Sequence, residues 1–258
     1  MKSIIITGAS SGIGAALALQ YADAGVRLGL VARNAIALDN LAQQCQEKGA
    51  ETVIGVIDVR HTERLSQWII DFDTQYTVDT LIANAGVAST LGENGEPETW
   101  GAIRNVIDTN VYGVMASIEA LIPPMRQRHK GSIVIISSLA AYRGLPLTPS
   151  YCASKAAVKS YGEALRGWLK ADGIQVTVVC PGFVESDMSR KFPAKKPLLM
   201  SAEKAAQIIK KGVAKNKACV AFPFPLSFGS WLLSVIPAAL VDFILPWFGY
   251  GYKGKLRP

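Results

Sequence analysis

The chain has 258 residues, of which 50% are apolar and 18% are charged. This composition excludes a disordered or low-complexity protein, because such chains lack the apolar surface that a folded core requires. The net charge of +7 favours anionic partners, but no run of Lys and Arg resembles a nucleic-acid-binding arm. We therefore expect a globular protein without a nucleic-acid partner.

The cysteines and the N-terminus bear on the compartment. The four cysteines are widely spaced and include no Cys-x-x-Cys pair, so neither a disulfide framework nor a zinc site is expected. No cluster of ligands indicates a catalytic metal. The N-terminal residues pass from one lysine into a β-branched run without a signal-peptide pattern. These features predict a cytoplasmic protein.

Short apolar runs alternate with longer helical patterns along the chain. The predicted strands are residues 4–7, 28–32, 52–59, 80–83, 132–137 and 175–180. The predicted helices are residues 15–24, 35–47, 62–76, 100–128 and 151–171, long enough for the crossovers that parallel strands require. Residues 186–200 lack clear periodicity and are predicted to form a loop, after which Ser201 is expected to cap a further helix. The pattern predicts an α/β fold with one doubly wound parallel sheet.

A glycine-rich turn follows the first predicted strand. Glycine permits a tight turn and lets backbone N–H groups approach a pyrophosphate, whose charge is favoured at the next helix N-terminus. A lone glycine triplet is compatible with a flexible turn, but the strand before it and the helix after it favour a nucleotide site. The residues of this loop that we assign to cofactor binding are Gly8, Ser10, Ser11, Gly12, Ile13 and Gly14.

The spacing Gly-x-x-x-Gly-x-Gly resembles that of the short-chain dehydrogenase/reductase family. Further elements match in the family's order over about residues 3–188, namely Asp58-Val59, Asn84-Ala85-Gly86, Asn110, Ser138, Tyr151-x-x-x-Lys155 and Pro181-Gly182. The resemblance implies a Rossmann-like three-layer fold. It also implies an NAD(P)-dependent oxidoreductase that transfers a hydride between a nicotinamide cofactor and a carbonyl or alcohol.

Residue roles are carried over from the same resemblance. It implies that Asp58 and Val59 contact the adenine, and that Asn84, Ala85 and Gly86 line the cofactor site. Pro181 and Gly182 would lie beside the nicotinamide, where the backbone near Val184 and the hydroxyl of Ser186 would hold the carboxamide. Ser186 stands where threonine is more usual.

The end of the second strand bears on the choice of cofactor. An NAD site usually has an acidic residue about 20 positions beyond the glycine loop, whereas an NADP site tends to offer arginine. Here Arg33 stands 19 residues after Gly14, and no acidic residue occurs before Asp39. We therefore expect NADPH to be favoured over NAD. A solvated arginine at a strand end is the alternative, since Ser11 stands where a supporting basic residue would help.

Tyr151 and Lys155 are four residues apart in a predicted helix, so both side chains lie on one face. A nearby ammonium favours the phenolate, and Lys155 is expected to lower the pKa of Tyr151 toward the range useful in proton transfer. Ser138 is expected to hold the substrate oxygen beside the phenol. By resemblance, Lys155 also binds the ribose, and Asn110 bends its helix and holds a water for proton relay.

The C-terminal part departs from the family after about Ser186. Residues 218–241 carry no charge, but Pro223, Pro225 and Pro237 disfavour a straight membrane-spanning helix. Lysines lie on both sides of this apolar segment. Peripheral docking on an anionic membrane, a dimer interface and a cover over the substrate site all stay open.

These observations predict one domain of two parts. Residues 1–217 form the dinucleotide-binding catalytic part, with a substrate loop at about 187–200, and residues 218–258 form an apolar helical extension. We expect reduction of an apolar ketone or aldehyde by a homodimer or homotetramer. The alternatives are a 3-oxoacyl carrier-protein reductase and a non-catalytic cofactor-binding sensor or scaffold. The loops 87–99, 139–150 and 187–200 shape the pocket, so the sequence leaves the substrate open.

Overall fold

A computed structural model describes residues 1–92 and 94–244. The strands in these ranges are β1 (Lys2–Thr7), β2 (Val26–Ala32), β3 (Glu51–Val56), β4 (Thr80–Ala83), β5 (Gly131–Ile136), β6 (Ile174–Pro181) and β7 (Cys219–Phe222). The helices are α1 (Gly12–Tyr21), α2 (Ala35–Glu47), α3 (Thr62–Tyr76), α4 (Trp100–Ile107), α5 (Gly113–Glu119), α6 (Ile122–Gln127), α7 (Pro149–Leu169), α8 (Asp187–Arg190), α9 (Ala202–Ala214), α10 (Leu226–Val235) and α11 (Ala238–Ile244).

The strands form one parallel sheet in the order β3-β2-β1-β4-β5-β6-β7. The predicted doubly wound fold is therefore confirmed. The chain order reverses between β1 and β4, and in open α/β sheets ligands bind outside the carboxyl ends of the strands at such a switch point. The glycine loop after β1 and the Asn84-Ala85-Gly86 segment after β4 both begin at this place.

Strand β1 shows why the sheet is buried on both faces. Ile4 and Ile6 point into an apolar cluster with α1, α2 and α9, whereas Ile5 points into the cluster on the other face. All three side chains are fully buried. Each contributes about 1.5 to 3 kcal/mol relative to an exposed side chain. A parallel strand covered on both faces needs the continuous β-branched run that this sequence supplies.

The structure differs from the predicted elements in the segment predicted as one helix over residues 100–128. It is divided into α4, a π-helical turn at Asp108–Tyr112, α5 and α6. Asn110 lies in the π-helical turn, where an extra residue per turn displaces the chain from regular helical register. The turn is only five residues long, which is too short for the apolar pattern to reveal it.

The C-terminal part also contributes to the sheet. Strand β7 pairs with β6 and lies within residues 218–258, which were predicted to form a helical extension. After β7 come the two short helices α10 and α11, whereas residues 245–258 of the predicted extension lie outside the described residues. None of the helices in the described ranges is both long enough and apolar enough to cross a bilayer.

Candidate active site

The glycine loop is shaped by close backbone contacts. Gly8 has a φ of +65°, and a Cβ atom there would lie 2.7 Å from the Cα of Ala85. A Cβ atom at Gly14 would lie 2.2 Å from the carbonyl oxygen of Gly8. Both contacts are shorter than a side chain permits, so these positions require glycine. Ser10, Ser11 and Ile13 lie in the same turn and are only partly buried or exposed.

Asn84 joins this loop to the end of β4. Its side-chain amide donates to the carbonyls of Thr7 at 2.9 Å and Gly8 at 3.1 Å. In return, the Thr7 hydroxyl accepts from the backbone N–H groups of Asn84 and Ala85, both at 3.1 Å. These four bonds satisfy polar groups that a loop would otherwise expose and hold it in one conformation. Thr7 was not singled out by the sequence analysis.

The N-terminus of α1 opens directly on this loop. Within α1 as described, the first turn holds no acidic residue, and the Ser11 side chain makes no capping hydrogen bond. The positive end of the helix dipole is therefore not compensated by a carboxylate of its own first turn. A Cβ atom at Gly12 would lie 3.2 Å from the Cβ of Ser186, so Ser186 faces the loop from the other side. The uncompensated N-terminus of α1 is the part of this loop that favours an anionic group.

Ser138, Tyr151 and Lys155 come together at the carboxyl end of β5. Ser138 follows this strand and caps a short 3₁₀ turn by accepting from Ala140 N at 3.1 Å. The Ser138 hydroxyl lies close enough to the phenol of Tyr151 to lower its pKa. Lys155 is almost fully buried, with Nζ 5.8 Å from the centre of the Tyr151 ring and 2.9 Å from the Ile136 carbonyl, to which it donates. Tyr151 and Lys155 thus lie on one face of α7, as predicted, and Ser138 joins them from the end of β5.

The ionisation of this site differs from the expectation. Burial raises the pKa of Tyr151 to about 12, and the Ser138 hydroxyl offsets only part of this rise. Burial also lowers the pKa of Lys155 to about 8. The predicted net lowering of the pKa of Tyr151 is therefore wrong, because burial is the largest influence on this phenol and raises its pKa. In a buried site the loss of hydration disfavours both the phenolate and the ammonium. The pKa of the phenol therefore rises and the pKa of the ammonium falls.

A buried hydrogen-bond network connects Asn110 to the N-terminal turns of α7. Asn110 is fully buried, and its side chain both donates to the Val87 carbonyl at 2.9 Å and accepts from the Val87 N–H at 2.8 Å. Its amide also donates to the hydroxyl of Ser154 at 2.9 Å, and Ser154 donates to the Tyr151 carbonyl at 2.7 Å. Asn110 thus connects the π-helical turn to the first turns of α7. Ser154, which completes this path, was missed, although its place between Tyr151 and Lys155 was a usable signal.

Two more contacts fix the lysine. The Ser137 hydroxyl donates to the Lys155 carbonyl at 2.7 Å, which ties α7 to the end of β5. A Cβ atom at Gly86 would lie 3.2 Å from Lys155 Nζ and 3.4 Å from the Asn110 side-chain oxygen. Glycine at this position therefore leaves room for the ammonium group. Ser137 also escaped the sequence analysis, because a serine within a strand end is common.

Glu98 holds the N-terminus of α7. Its carboxylate accepts from the backbone N–H of Ser150 at 3.0 Å and from the Ser150 hydroxyl at 2.6 Å. The Glu98 carboxylate therefore lies at the positive end of the helix dipole. The residue that it binds, Ser150, directly precedes Tyr151. Glu98 also links the loop over residues 87–99 to the helix that carries the phenol. Sequence reasoning missed Glu98, because the contact joins residues 52 positions apart.

The opposite part of the site, at the ends of β2 and β3, is charged and more exposed. Asp58 accepts two hydrogen bonds from Arg60 Nε and pairs with Arg60 Nη2 at 2.6 Å. The more exposed Arg33 lies 3.7 Å from the same carboxylate. Both arginines lower the pKa of Asp58 to about 2, the hydrogen bonds from Arg60 being the larger cause. Arg60 was missed, since an arginine after a strand end carries no signal of its own.

Val59 follows Asp58 and is buried against the start of α5, which directly follows the π-helical turn. A Cβ atom at Gly113 would lie 2.8 Å from a methyl group of Val59, which shows how closely α5 approaches the end of β3. The Val59 side chain thus packs against the start of α5, and its contact with the adenine stays a prediction.

The segment after β6 closes the site. Pro181 ends this strand, and the Gly182 N–H donates to the Phe222 carbonyl at 2.7 Å. Val184 forms a parallel bridge with Met200, which closes the loop that follows. The Ser186 hydroxyl caps α8 by accepting from Ser189 N at 3.1 Å. Ser186 therefore already has a structural use in addition to its predicted contact with the carboxamide.

The sequence model of the short chain dehydrogenase family matches residues 2–197 of the chain. The chain belongs to this family. An uncharacterized oxidoreductase of Myxococcus xanthus is 35% identical over 242 residues, which are 93% of this chain and 95% of that protein. An Arabidopsis thaliana protein named 11-beta-hydroxysteroid dehydrogenase-like 2 is 32% identical over 100% of this chain and 83% of its own length. This short-chain dehydrogenase is therefore an oxidoreductase.

Solved structures of the family share the fold. A short-chain dehydrogenase from Sphingobium yanoikuyae in complex with NADPH superposes with a TM-score of 0.79 at 24% identity, covering 100% of this chain and 99% of that one. Another, from Mycobacterium paratuberculosis and bound to NAD, gives a TM-score of 0.75 at 24% identity, with 85% and 94% covered. These similarities confirm the predicted Rossmann-like fold.

Proposed function

We propose that this short-chain dehydrogenase catalyses the NADPH-dependent reduction of an apolar ketone or aldehyde. The observation that carries the proposal is the meeting of Ser138, Tyr151, the buried Lys155 ammonium and the glycine loop at one edge of the sheet. A proton donor and a dinucleotide cradle at one edge are what carbonyl reduction requires. The reverse oxidation of an alcohol uses the same groups.

The cradle fits a dinucleotide on structural grounds. Side chains at Gly8 and Gly14 would clash with backbone, and the loop lies at the N-terminus of α1, whose first turn holds no acidic residue. Gly12, Ile13 and Gly14 would hold the pyrophosphate, Asp58 and Val59 the adenosine, and Lys155 the nicotinamide ribose. Asn84, Ala85 and Gly86 would line the middle, and Gly182, Val184 and Ser186 the nicotinamide end. When bound, the cofactor supplies the hydride.

The chain itself supplies the proton. Ser138 donates a hydrogen bond to the substrate oxygen and holds it beside the phenol, and Tyr151 Oη transfers its proton to that oxygen. Since burial raises the pKa of Tyr151 to about 12, the phenol is protonated and ready to act as the acid at neutral pH. A pKa of about 8 leaves most Lys155 side chains charged at pH 7. The ammonium then stabilises the developing phenolate.

Asn110 is a positioning residue in this scheme. The Asn110 amide donates to Ser154, and Ser154 donates to the Tyr151 carbonyl. Asn110 thereby helps to fix the position of Tyr151 relative to Ser138. Its second role, holding a water that returns protons to Lys155 from solvent, follows from the family resemblance. Both roles depend on the π-helical turn, which places the Asn110 side chain within hydrogen-bonding distance of Val87.

The preference for NADPH rests on Arg33. Its guanidinium is exposed at the carboxyl end of β2, and its present neighbour is Asp58 at 3.7 Å. A 2′-phosphate would offer a stronger acceptor than this long contact. Because Arg60 already neutralises Asp58, the carboxylate would repel the phosphate less than an unpaired one. Arg60 therefore supports the same preference.

The apolar character of the substrate rests on the side chains around Gly182. Pro223, Leu226 and Leu139 would lie 3.0, 3.2 and 3.4 Å from a Cβ atom at Gly182, so α10 and the Ser138 turn meet beside the predicted nicotinamide end. Burial of apolar ligand surface against such side chains contributes about 25 cal/mol for each Å². The steroid dehydrogenase-like name of the Arabidopsis relative agrees with this class.

The exposed apolar face of α10 bears on the partners. Phe228, Trp231 and Val235 are about half exposed, and Phe224 precedes them with 80% of its surface exposed. Such a surface is typical of a docking site. An anionic membrane surface and a second subunit both fit it. Binding to anionic liposomes that falls with salt would indicate the membrane, whereas a dimer that persists without lipid would indicate the subunit.

The decisive experiment follows NADPH and NADH oxidation with a substrate panel. The panel holds steroid ketones, retinal, long-chain aldehydes, sugars and 3-oxoacyl thioesters of carrier protein. We expect turnover of the apolar carbonyls with NADPH and little with sugars. Turnover confined to the carrier-protein thioester would favour the acyl reductase instead. Tight NADPH binding without turnover of any carbonyl or alcohol would indicate a sensor or scaffold.

A further inference from the structure

A cluster of two thiols, a phenol and an ammonium lies outside the candidate active site, where β6 and β7 run side by side. Cys219 begins the edge strand β7 and is exposed, whereas Cys180 lies near the end of β6 and is fully buried. The Tyr142 phenol lies 3.6 Å from the sulfur of Cys219. The Cys180 thiol is the neighbour with the largest effect on the pKa of Cys219. We call these residues, with Lys159, the thiol cluster.

The charge in the thiol cluster comes from α7. Lys159 Nζ lies 5.0 Å from the centre of the Tyr142 ring and forms an ion pair with Glu163 at 2.6 Å. The ammonium therefore faces the phenol that contacts Cys219, and Glu163 opposes part of its effect. Among the described residues, the titratable groups that act on Cys219 are Cys180 from β6, Tyr142 from the Ser138 turn, and Lys159 and Glu163 from α7.

These neighbours favour the thiolate of Cys219. The Cys180 thiol and the Tyr142 phenol, together with the Lys159 charge, lower the pKa of Cys219 to about 6. Burial and the same contacts raise the pKa values of Cys180 and Tyr142, so both keep their protons and act as donors. An exposed thiolate with two donors and a cation is the arrangement found at reactive cysteines.

We propose that Cys219 is a modification site, at which hydroperoxides convert the thiol to a sulfenic acid. In this step the sulfur attacks one oxygen of the peroxide, a sulfur–oxygen bond forms and the oxygen–oxygen bond breaks. The sulfur loses two electrons, and the peroxide is reduced. The thiol proton ends on the leaving oxygen, so Cys219 and hydrogen peroxide give the sulfenic acid and water.

The strand register indicates that the sulfenic acid does not proceed to a disulfide. Cys219 pairs with Val178, so Cys180 is diagonal to it by two residues. The strand rise and the strand spacing then give a Cα separation of roughly 8 Å, beyond the range of about 7 Å that a disulfide allows. Cys180 instead stays a hydrogen-bond donor to the oxidised side chain.

The test uses the full-length protein and peptide mass spectrometry. With hydrogen peroxide and dimedone, we expect the adduct on Cys219 and not on Cys45, Cys152 or Cys180. With iodoacetamide at pH 6, Cys219 should react about tenfold faster than a free thiol, since its larger thiolate fraction outweighs its lower intrinsic nucleophilicity. The rate should rise through a midpoint near pH 6.

Variants separate the contributions. Lys159→Gln and Tyr142→Phe should each move the midpoint upward and slow labelling at pH 6, whereas Lys170→Gln, an exposed lysine at the other end of α7, should leave both unchanged. Cys219→Ser should abolish the dimedone adduct. Labelling of Cys219 with an ordinary midpoint near pH 8.5, a peroxide adduct on another cysteine, or a Cys180–Cys219 disulfide as the product would each overturn the proposal.

Discussion

The two sides of the candidate site, around Tyr151 and around Arg33, are held by different interactions. Around Tyr151 the polar groups are buried and bonded to one another, as in the path from Asn110 through Ser154. Around Arg33 they are exposed and held by ion pairs, as at Asp58. In a buried network the loss of one group leaves its partners unsatisfied, whereas exposed ion pairs are screened by solvent. The first side should therefore govern the rate, and the second should tune the choice of cofactor.

The largest effect should follow the loss of the phenol. Tyr151→Phe removes the proton donor, so kcat should fall at least about a hundredfold, within the usual contribution of general acid catalysis. Cofactor affinity, measured by fluorescence titration, should stay close to that of the parent. Tyr161→Phe on the same helix is the matched control and should retain activity. Near-normal turnover in Tyr151→Phe would contradict the assignment.

Lys155 should show two losses, because we assign one ammonium to both the ribose and the phenol. Lys155→Met should lower cofactor affinity as well as kcat. In the parent, the charged form is lost as pH rises through the lowered pKa of about 8. The kcat/KM for the cofactor, which reports groups of the free enzyme, should accordingly fall above about pH 8. An unchanged value up to pH 10, or normal cofactor affinity in the variant, would remove this role.

A smaller effect is expected on the exposed side. Arg33→Ala should shrink the difference in binding free energy between NADPH and NADH by about 1 to 3 kcal/mol, mainly by weakening NADPH. Isothermal titration with both cofactors measures it. Arg64→Ala, an exposed arginine on α3, serves as the control. If the parent bound both cofactors equally, Arg33 would have no part in the choice.

The smallest effect concerns stability in acid. The pKa of Asp58 in the folded chain is about 2, below the unfolded value of about 3.9. Its contribution to the free energy of unfolding is therefore present above pH 4 and is lost as pH falls toward 2, and it amounts to about 1 kcal/mol after allowance for solvent screening. Arg60→Gln should reduce this pH dependence, as followed by urea unfolding at pH 5 and pH 3. An identical pH dependence in parent and variant would argue against the ion pair.

The sequence predicted local features better than features that depend on distant contacts. The strands from β1 to β6 and the capping of α9 by Ser201 were predicted within a few residues, because apolar runs and helix caps are local signals. Strand β7 was not predicted, since its four residues form a strand only beside β6. The apolar composition around it favoured a helix instead.

The same contrast holds within the candidate site. The one-face placement of Tyr151 and Lys155 follows from helical spacing alone. The pKa of Tyr151 does not, because it depends on burial that the spacing cannot express. Arg60 and Glu98 act through partners on other elements, and neither belongs to a motif.

The bridge between Val184 and Met200 has a consequence for how the protein changes over evolution and in the laboratory. Glu185 N donates to the Met200 carbonyl at 2.9 Å and Met200 N donates to the Phe183 carbonyl at 3.0 Å, so both ends of the intervening loop are fastened together. Changing the length of a loop whose ends are already joined costs little free energy. Insertions and deletions in this segment should therefore change the free energy of unfolding little, because the joined ends keep β6 and α9 in place.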